Sequence, residues 1–477
     1  MSLFSEKLTH YIKKSRLTLL YLSSVSDLDV SYISKIKKGE RLPRKKDLLV
    51  PLVNGLRLSP SEKEDLWNAY KISSIGEERF LQYQAVKKFL SSISSTDSHS
   101  VVCGFQHKLP ANSVYYGKTD VNHIVKSVIE AECSKEDGCI QIVAQPDYHF
   151  LMEVLSSVIL CCPDAKITQI ICLQTGSEAD KLAYNVESLR SMYPMLSRSG
   201  SYCVKYYYDD IPAHINRMNV MPFFIVTTDC TVSLSADYTL ADVSANKNRR
   251  KLYTSIFDQM FACTEDLIIH EYKVTAGKNR PKDSISNKKA TLAELSASPF
   301  LLPYYSDQAL KEMVREDAPN YEFIVDSVLS YAEKLRYMIQ NSGGFLSFFT
   351  ERGALDFFKS GYLSGFSKKF FYPLKREDSI SALRQFCSKQ ELIRHTPMLL
   401  KPDCLTLSSS FRIFSDSRTN KVLFHTEKPF FLTEQSLAVS IKDYLKYIAD
   451  SDEVYSAADT AKFIQKHILL LEKQHTV

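Results

Sequence analysis

The stretch LTLLYLSSVSDLDVSYISKIKKGERLP, residues 17–43, carries the clearest local pattern in the chain. Thr18 can cap a short first helix, and Asp29 can cap a second helix that runs to about Lys38. Asp27 can turn the chain between them, because aspartate tolerates the left-handed backbone that a tight turn often requires. The spacing therefore predicts two short helices joined by a tight turn.

Apolar side chains in this stretch are spaced so that the two helices pack together at an angle: Leu22, Val25, Leu28, Ile33 and Ile36. Residues 17–43 thereby resemble the Cro/C1-type (XRE family) helix-turn-helix of phage repressors and bacterial regulators. The residues that carry the resemblance are Leu17, Thr18, the run SYISKI at 31–36, Gly39, Arg41 and Pro43. Leu19 departs from the family's usual polar residue, and Asp27 departs from its turn glycine.

The resemblance implies binding to double-stranded DNA, with the second helix in the major groove. The implied base-facing residues are Val30, Ser31, Ser34 and Lys35, with Tyr32 on the same helix. The implied phosphate contacts are Thr18, Lys37, Lys38, Arg41 and Arg44. Because proteins of this type read paired half-sites, a homodimer is expected, and a helix over 77–93 is a candidate dimer contact. Packing of that helix on the following domain is the alternative.

The charge of the chain supports this placement. Residues 1–70 hold 13 Lys and Arg against 8 Asp and Glu, an excess that equals the +5 net charge of all 477 residues. The remaining residues hold 47 basic and 47 acidic side chains. We therefore expect the polyanion contact within the first 70 residues and nowhere else.

Composition excludes several other classes of protein. A chain with 44% hydrophobic and 24% charged residues is globular, and its length predicts two or three domains. The 11 cysteines form no CxxC pair and no zinc-ligand spacing with histidine, so we expect no metal site and a reducing compartment. No signal peptide pattern or membrane-spanning run is found, and the expected location is the cytoplasm, without membrane contact.

Beyond a serine-rich linker at 91–100, short β-rich runs alternate with amphipathic helices, which predicts an α/β (α+β) region. The expected strands include Ile140–Ala144, Ile167–Leu173 and Lys368–Tyr372. The expected fold is thus multidomain, with an all-α helix-turn-helix bundle followed by a large α/β region that could form two similar lobes. The expected boundaries are 1–75 for the DNA-binding domain, 76–100 for a connecting helix and linker, 101–270 for a first lobe, 271–319 for a connector and 320–477 for a second lobe.

The order of elements from residue 101 onward resembles the phospholipase D-like fold, which also serves as a sensor lobe in some regulators. The catalytic version needs an H-x-K-x-x-x-x-D motif, and none of the 11 histidines fits it. His425, for example, has its lysine three residues on, at Lys428. The resemblance therefore implies a catalytically empty member. Nucleotide-binding glycine loops, metalloprotease motifs and hydrolase motifs are also absent from the sequence.

These observations predict a sequence-specific DNA-binding transcriptional regulator that is not an enzyme and uses no cofactor. Its C-terminal region would dimerise, sense a small-molecule or peptide effector, or do both. The alternative is a phosphodiesterase-like enzyme that the helix-turn-helix directs to nucleic acid.

Overall fold

The computed structural model describes residues 2–43, 46–93, 112–176, 178–209, 221–270, 290–366, 368–388, 395–402, 404–409, 411–426 and 428–473. The chain divides into two units. The first unit comprises residues 1–85 together with 177–183, and the second comprises 86–176 and 184–477.

The first unit is helical. Its helices are α1 (Leu3–Ser15), α2 (Leu19–Ser26), α3 (Val30–Lys38), α4 (Val50–Gly55), α5 (Pro60–Ile75) and the first part of α6 (Glu77–Ser92). Its core is built from apolar residues that recur at helical spacing, and its fully buried members are Phe4, Leu8, Leu22, Ile33, Ile36, Leu49, Leu52 and Leu66. The only tryptophan, Trp67, packs against this core with part of its ring exposed. The bundle therefore closes on its own apolar residues.

Local capping sets the bounds of these helices. The Thr18 hydroxyl accepts a hydrogen bond from the Tyr21 amide, and α2 ends at Asp27, which has a left-handed φ of 56°. α3 ends at Gly39, also left-handed, as expected for a residue without a Cβ. The Asp29 side chain makes no capping hydrogen bond, so its predicted role as a side-chain cap is wrong, although α3 begins directly after it.

The second unit contains two mixed β-sheets covered by helices. The first sheet is eight-stranded with the order β1-β7-β6-β5-β2-β3-β4-β8 in the described residues. Its strands are β1 (Asn112–Tyr116), β2 (Cys139–Val143), β3 (Lys166–Gln174), β4 (Tyr202–Asp209), β5 (Phe223–Val226), β6 (Thr231–Leu234), β7 (Leu240–Ser244) and β8 (Glu265–Asp266). Its helices are α7 (Lys118–Cys133), α8 (His149–Cys161), α9 (Ala179–Leu196) and α10 (Lys247–Ala262).

The second sheet is seven-stranded with the order β12-β11-β10-β13-β14-β15-β9. Its strands are β9 (Ile268–His270), β10 (Thr291–Ser296), β11 (Gly344–Thr350), β12 (His395–Leu400), β13 (Arg412–Asp416), β14 (Val422–His425) and β15 (Phe430–Leu432). Its helices are α11 (Asp307–Glu312), α12 (Tyr321–Gln340), α13 (Glu351–Ser360), α14 (Arg376–Ser388), α15 (Gln435–Ala449) and α16 (Ala457–Lys473).

The two sheets share one strand order. In each, a central strand (β2 or β10) pairs in parallel with the strand that follows it and antiparallel with the first strand of a late hairpin (β5 or β13). In each, an early strand (β1 or β9) pairs antiparallel with the last strand of the hairpin group. The predicted large α/β region is confirmed, and the structure shows that it contains two multi-stranded sheets.

The second sheet takes in strands from before residue 320. β9 and β10 both belong to it, and β10 and α11 lie within the stretch 271–319 that the sequence predicts as a connector. The polar run 271–289 on which that prediction depends lies outside the described residues, as does most of the predicted linker 91–100. The predicted strand Lys368–Tyr372 is wrong: the chain there forms turns, with one isolated bridge between Phe371 and Val314.

Candidate functional site

One candidate site is the outer surface of α3 in the first unit. Ile33 and Ile36 are fully buried on its inner side. Val30, Ser31 and Lys35 are exposed on its other side. This is the division expected of an amphipathic helix that presents its first turns to solvent.

Basic side chains surround the C-terminal end of α3. Lys35, Lys38 and Arg41 are exposed and Lys37 is half-buried. The Arg41 guanidinium lies 4.9 Å from the ring centre of Tyr32, which holds it against the helix. Across the part of the chain that the structure describes, none of these four cations has an acidic partner, so their charge is available to an anion.

Four residues predicted for this surface or its packing need comment. Thr18 is exposed, and its hydroxyl caps α2 while remaining able to donate to an external acceptor. Ser34 is half-buried, so its side chain is less accessible than predicted. Val25, predicted to pack between the two helices, is 41% exposed. Arg44 lies outside the described residues.

A second candidate site lies in the second unit, at the crevice between β10 and β13. After β10 the chain adds β11 and then β12 on one side of β10 in the sheet. It then returns to place β13 on the other side of β10, so the strand order reverses at β10. Open α/β sheets bind ligands outside the carboxyl ends of their strands at such a reversal of order. Arg412 at the start of β13 pairs in register with Ser296 at the end of β10, and with His425 at the end of β14.

Four polar side chains meet at this crevice. Arg412 Nε lies 2.8 Å from Glu294 Oε1, and these two side chains are 4% and 1% exposed. Arg412 also donates to the Tyr331 hydroxyl at 3.1 Å, and that hydroxyl lies 3.1 Å from His425 Nε2. Tyr331 and His425 are half-buried and so are reached from solvent. We call these four residues the β10–β13 cluster.

Burial shifts the pKa values of two residues in the β10–β13 cluster, Glu294 and His425. It raises the pKa of Glu294 to about 7, against the opposing effect of the Arg412 charge. Burial, followed by the charge of Arg412, holds the pKa of His425 well below its usual range. The His425 ring is therefore neutral at pH 7. When the His425 ring carries its proton on Nδ1, its Nε2 accepts a hydrogen bond from the Tyr331 hydroxyl.

The interior of the crevice is nearly closed. Glu294, Ser296, Ser298, Ser364 and Arg412 line a cavity of about 10 Å³, which is close to the smallest space that holds one water molecule. A larger ligand would therefore meet the cluster from the side of Tyr331 and His425.

The equivalent position in the first sheet lies between β2 and β5, and it is filled by stacked aromatic rings. The ring of Tyr238 stacks on Tyr148 with centres 4.1 Å apart and on Phe223 with centres 5.1 Å apart. Tyr238 has a left-handed φ of 57°, which is rare for a residue of this size. The stacking covers these rings, so we interpret this crevice as packed core.

The sequence analysis did not find the β10–β13 cluster. Its members are spread from residue 294 to residue 425, and no spacing rule links them. The nearest signal in the sequence is His425, but its lysine, Lys428, does not stand at the catalytic spacing. Within the described residues, no group of three metal-ligating side chains occurs, and no helix is long and apolar enough to cross a membrane.

No protein-family model matches the chain, and no curated protein matches it in sequence. Among solved structures, the chain is similar to the crystal structure of phosphatidylserine synthase from Haemophilus influenzae Rd KW20. The match has 10% identity and a TM-score of 0.22, and it covers 82% of this chain and 97% of that one. At this TM-score the likeness does not establish a shared fold.

Two predictions made from the sequence find no support in these comparisons. The matched structure is that of an enzyme and not of a transcriptional regulator. We therefore withdraw the prediction of a sequence-specific transcriptional regulator and the prediction that the chain is not an enzyme. The function proposed below rests on the chain's own residues.

Proposed function

We propose that the chain is a phosphodiesterase-like enzyme that its N-terminal unit directs to nucleic acid. The proposal that the N-terminal unit binds nucleic acid rests on the four cations around α3. These cations have no acidic partner among the described residues. A polyanion is the partner that best fits such a set, because each phosphate contact releases counterions. We propose that the first unit is a Cro/C1-type helix-turn-helix and that double-stranded DNA is its partner.

The division of labour on α3 follows from exposure. Lys37, Lys38 and Arg41 lie at or beyond the C-terminal end of the helix, where they would contact phosphates. Ser31 and Lys35 lie on the exposed side of its first turns, where a helix in the major groove meets base edges. We propose that the first group sets affinity and that the second adds preference among sequences.

The chemical half of the proposal rests on the β10–β13 cluster. The shared strand order of the two sheets supports a phospholipase D-like pair of lobes, yet the histidine and lysine of that fold's catalytic motif are absent. The cluster offers different chemistry, because the Tyr331 hydroxyl lies between a guanidinium and a neutral imidazole. A hydroxyl with a base on one side and a cation on the other is an activated nucleophile.

The proposed reaction uses these residues in order. Tyr331 Oη attacks the phosphorus of a diester while its proton moves to His425 Nε2. The P–O bond to the leaving alcohol breaks, and that oxygen takes the proton from the His425 imidazolium. Arg412, which donates a hydrogen bond to Tyr331 Oη, stabilises the negative charge that develops on that oxygen. Water then attacks the same phosphorus and gives a proton to His425 Nε2. The P–O bond to Tyr331 Oη breaks, that oxygen takes the proton back from the imidazolium, and a phosphate monoester leaves.

Binding of the full-length protein to labelled duplex DNA tests the targeting half. We expect the variant Lys37→Ala/Lys38→Ala to bind all duplexes more weakly and to lower the slope of log affinity against log salt by about 0.9 per lysine. Lys421→Ala/Lys466→Ala is the matched control, because both of these lysines are exposed and lie in the second unit. If the two double variants bound duplex DNA with the same affinity and the same salt dependence, DNA binding through α3 would be refuted.

Incubation with labelled DNA, followed by denaturing electrophoresis, tests the chemical half. We expect cleavage products and a small covalent protein–DNA fraction from the parent chain, and neither from Tyr331→Phe. His425→Ala should lower the rate by about 10²–10⁴, the usual contribution of a general base. Ser327→Ala removes a hydroxyl one turn away on the same helix and should change nothing. Cleavage by Tyr331→Phe at the parent rate would exclude the proposed nucleophile.

A further inference from the structure

The second unit contains a local concentration of charge that its average composition hides. Residues 357–376, FFKSGYLSGFSKKFFYPLKR, hold five basic side chains, seven aromatic ones and no acidic one. We call this stretch the aromatic–basic segment; the structure describes all of it except residue 367. The expectation that polyanion contact is confined to the first 70 residues does not account for it.

Glycines hold the segment in a turned conformation. Gly361 ends α13 with a φ of +71°, and a Cβ there would lie 2.9 Å from the Leu374 carbonyl oxygen. Gly365 follows with a φ of +83°. Backbone bonds then fix the other side of the turn, because Arg315 N–H donates to the Phe370 carbonyl and Tyr372 N–H donates to the Met313 carbonyl. The segment is thus a structured surface.

Cations lie over aromatic rings along this surface. Lys368 Nζ is 4.8 Å from the ring centre of Tyr362, and Lys369 Nζ is 5.5 Å from that of Phe370. The Arg315 guanidinium, which is paired with Asp317, lies 4.8 Å from the ring centre of Tyr372. Lys359, Lys368 and Lys369 are exposed. Lys375 is paired with Glu312.

We infer that the aromatic–basic segment is a second nucleic-acid contact, one that binds single-stranded rather than duplex nucleic acid. Surfaces that bind single strands combine lysines that follow the backbone with aromatic rings on which bases stack. The exposed lysines here supply the first requirement, and Tyr362 and Tyr372 supply the second. The inference rests on observations independent of α3, although it adds a site to the function proposed above.

The distribution of exposure favours nucleic acid over a lipid surface. A membrane-inserting segment would present phenylalanine side chains to the bilayer. Of the five phenylalanines in the segment, Phe357 is buried and the other four are half-buried, with Phe366 and Phe371 packed edge to face. Tyr372, with 42% exposure and a polar hydroxyl, is the most accessible ring. The surface therefore offers charge and stacking without an apolar wedge.

Fluorescence anisotropy of the full chain with a labelled single strand of about 20 nucleotides tests this inference. We expect Lys368→Ala/Lys369→Ala to weaken single-strand binding and to lower the slope of log affinity against log salt by about 0.7 per lysine. Duplex affinity of the same variant should stay within twofold of the parent. Tyr362→Leu, which keeps an apolar side chain, should weaken single-strand binding without changing the salt slope.

Three results would overturn the inference. The first is unchanged single-strand affinity in Lys368→Ala/Lys369→Ala. The second is an equal loss in the control Lys421→Ala/Lys466→Ala, which removes the same charge elsewhere in the second unit. The third is lysine-dependent binding to phosphatidylserine–phosphatidylcholine vesicles without single-strand binding, which would assign the segment to a membrane. Failure of Lys37→Ala/Lys38→Ala to change duplex binding bears on the first unit alone, so the two proposals fail separately.

Discussion

At the scale of single residues, the buried pair of Glu294 and Arg412 carries a large cost of desolvation. Taking both charges out of water costs several kcal/mol per ion, which their attraction repays only in good geometry. Burial leaves the Glu294 pKa at about 7, so the carboxyl group is close to half-protonated at neutral pH. A proton held at this position links the state of the cluster to the pH of the solution.

This linkage predicts a pH dependence with a definite sign. The Glu294 pKa is raised from its usual value of 4.5 to about 7, so between these pH values the folded state binds more protons than the unfolded state. Stability should therefore fall as pH rises through this window, by at most about 1.4 kcal/mol per pH unit from this group. Glu294→Gln should lack this contribution.

Urea unfolding of both proteins at several pH values between 4.5 and 8 measures the effect. Buried histidines act in the opposite direction, because burial lowers the pKa of His395 to about 3 and stability is lost as pH falls below their unfolded pKa of about 6.5. Their contribution cancels in the difference between the parent and Glu294→Gln. A difference that is constant across the whole range would contradict the raised pKa.

At the scale of elements, the sequence predicts what local patterns determine. The helix Tyr321–Gln340 is confirmed at both ends, because its apolar spacing is strong, and the runs around β2 and β3 are confirmed as strands. The sequence does not predict β10 (TLAELS), because its central residues have no β preference. Only its pairing with β11 and β13 makes it a strand. The prediction of a strand at Lys368–Tyr372 is wrong for the opposite reason, because its aromatic residues favour strands but are held in turns.

The β10–β13 cluster shows why this candidate site could not be predicted from the sequence. Glu294 and Arg412 come from neighbouring antiparallel strands, Tyr331 comes from a covering helix and His425 comes from the next strand. Their proximity is a property of strand order, which no local pattern encodes. The α3 surface, by contrast, is one continuous stretch, so its residues could be chosen from spacing alone.

Tight packing between elements gives a prediction at the same scale. Gly353 lies in α13, where an added Cβ would stand 2.1 Å from the Ala297 carbonyl oxygen. Because the obstacle is backbone at the end of β10, Gly353→Ala must shift α13 or the strand end, and we expect a loss of about 1–3 kcal/mol by analogy with overpacked cores. Thermal unfolding by circular dichroism measures this loss. Gly76→Ala, with open space around its Cβ but a φ of +88°, separates steric overlap from backbone strain. Equal stability of Gly353→Ala and the parent would show that the helix moves freely.

At the scale of the whole molecule, the chain divides into two units. The first unit holds the exposed cations around α3 and has its own buried core, whose members all lie between Phe4 and Tyr70. The second unit holds both sheets, the β10–β13 cluster and the aromatic–basic segment. In the function proposed above, nucleic-acid binding by α3 and catalysis by the β10–β13 cluster would use residues of different units.

The separation predicts that residues 1–76 fold and bind duplex DNA alone. The fragment keeps the complete core of the first unit, the caps at Thr18 and Ser59, and Gly76 as the C-terminal cap of α5. We expect a cooperative unfolding transition with a free energy of about 3–5 kcal/mol, as for other cores of this size, and a salt slope for duplex binding equal to that of the full chain. Single-strand binding should be absent, because the aromatic–basic segment is missing. A fragment that stays unfolded would show that the first unit depends on the rest of the chain, and a folded fragment without duplex affinity would remove the targeting half of the proposed function.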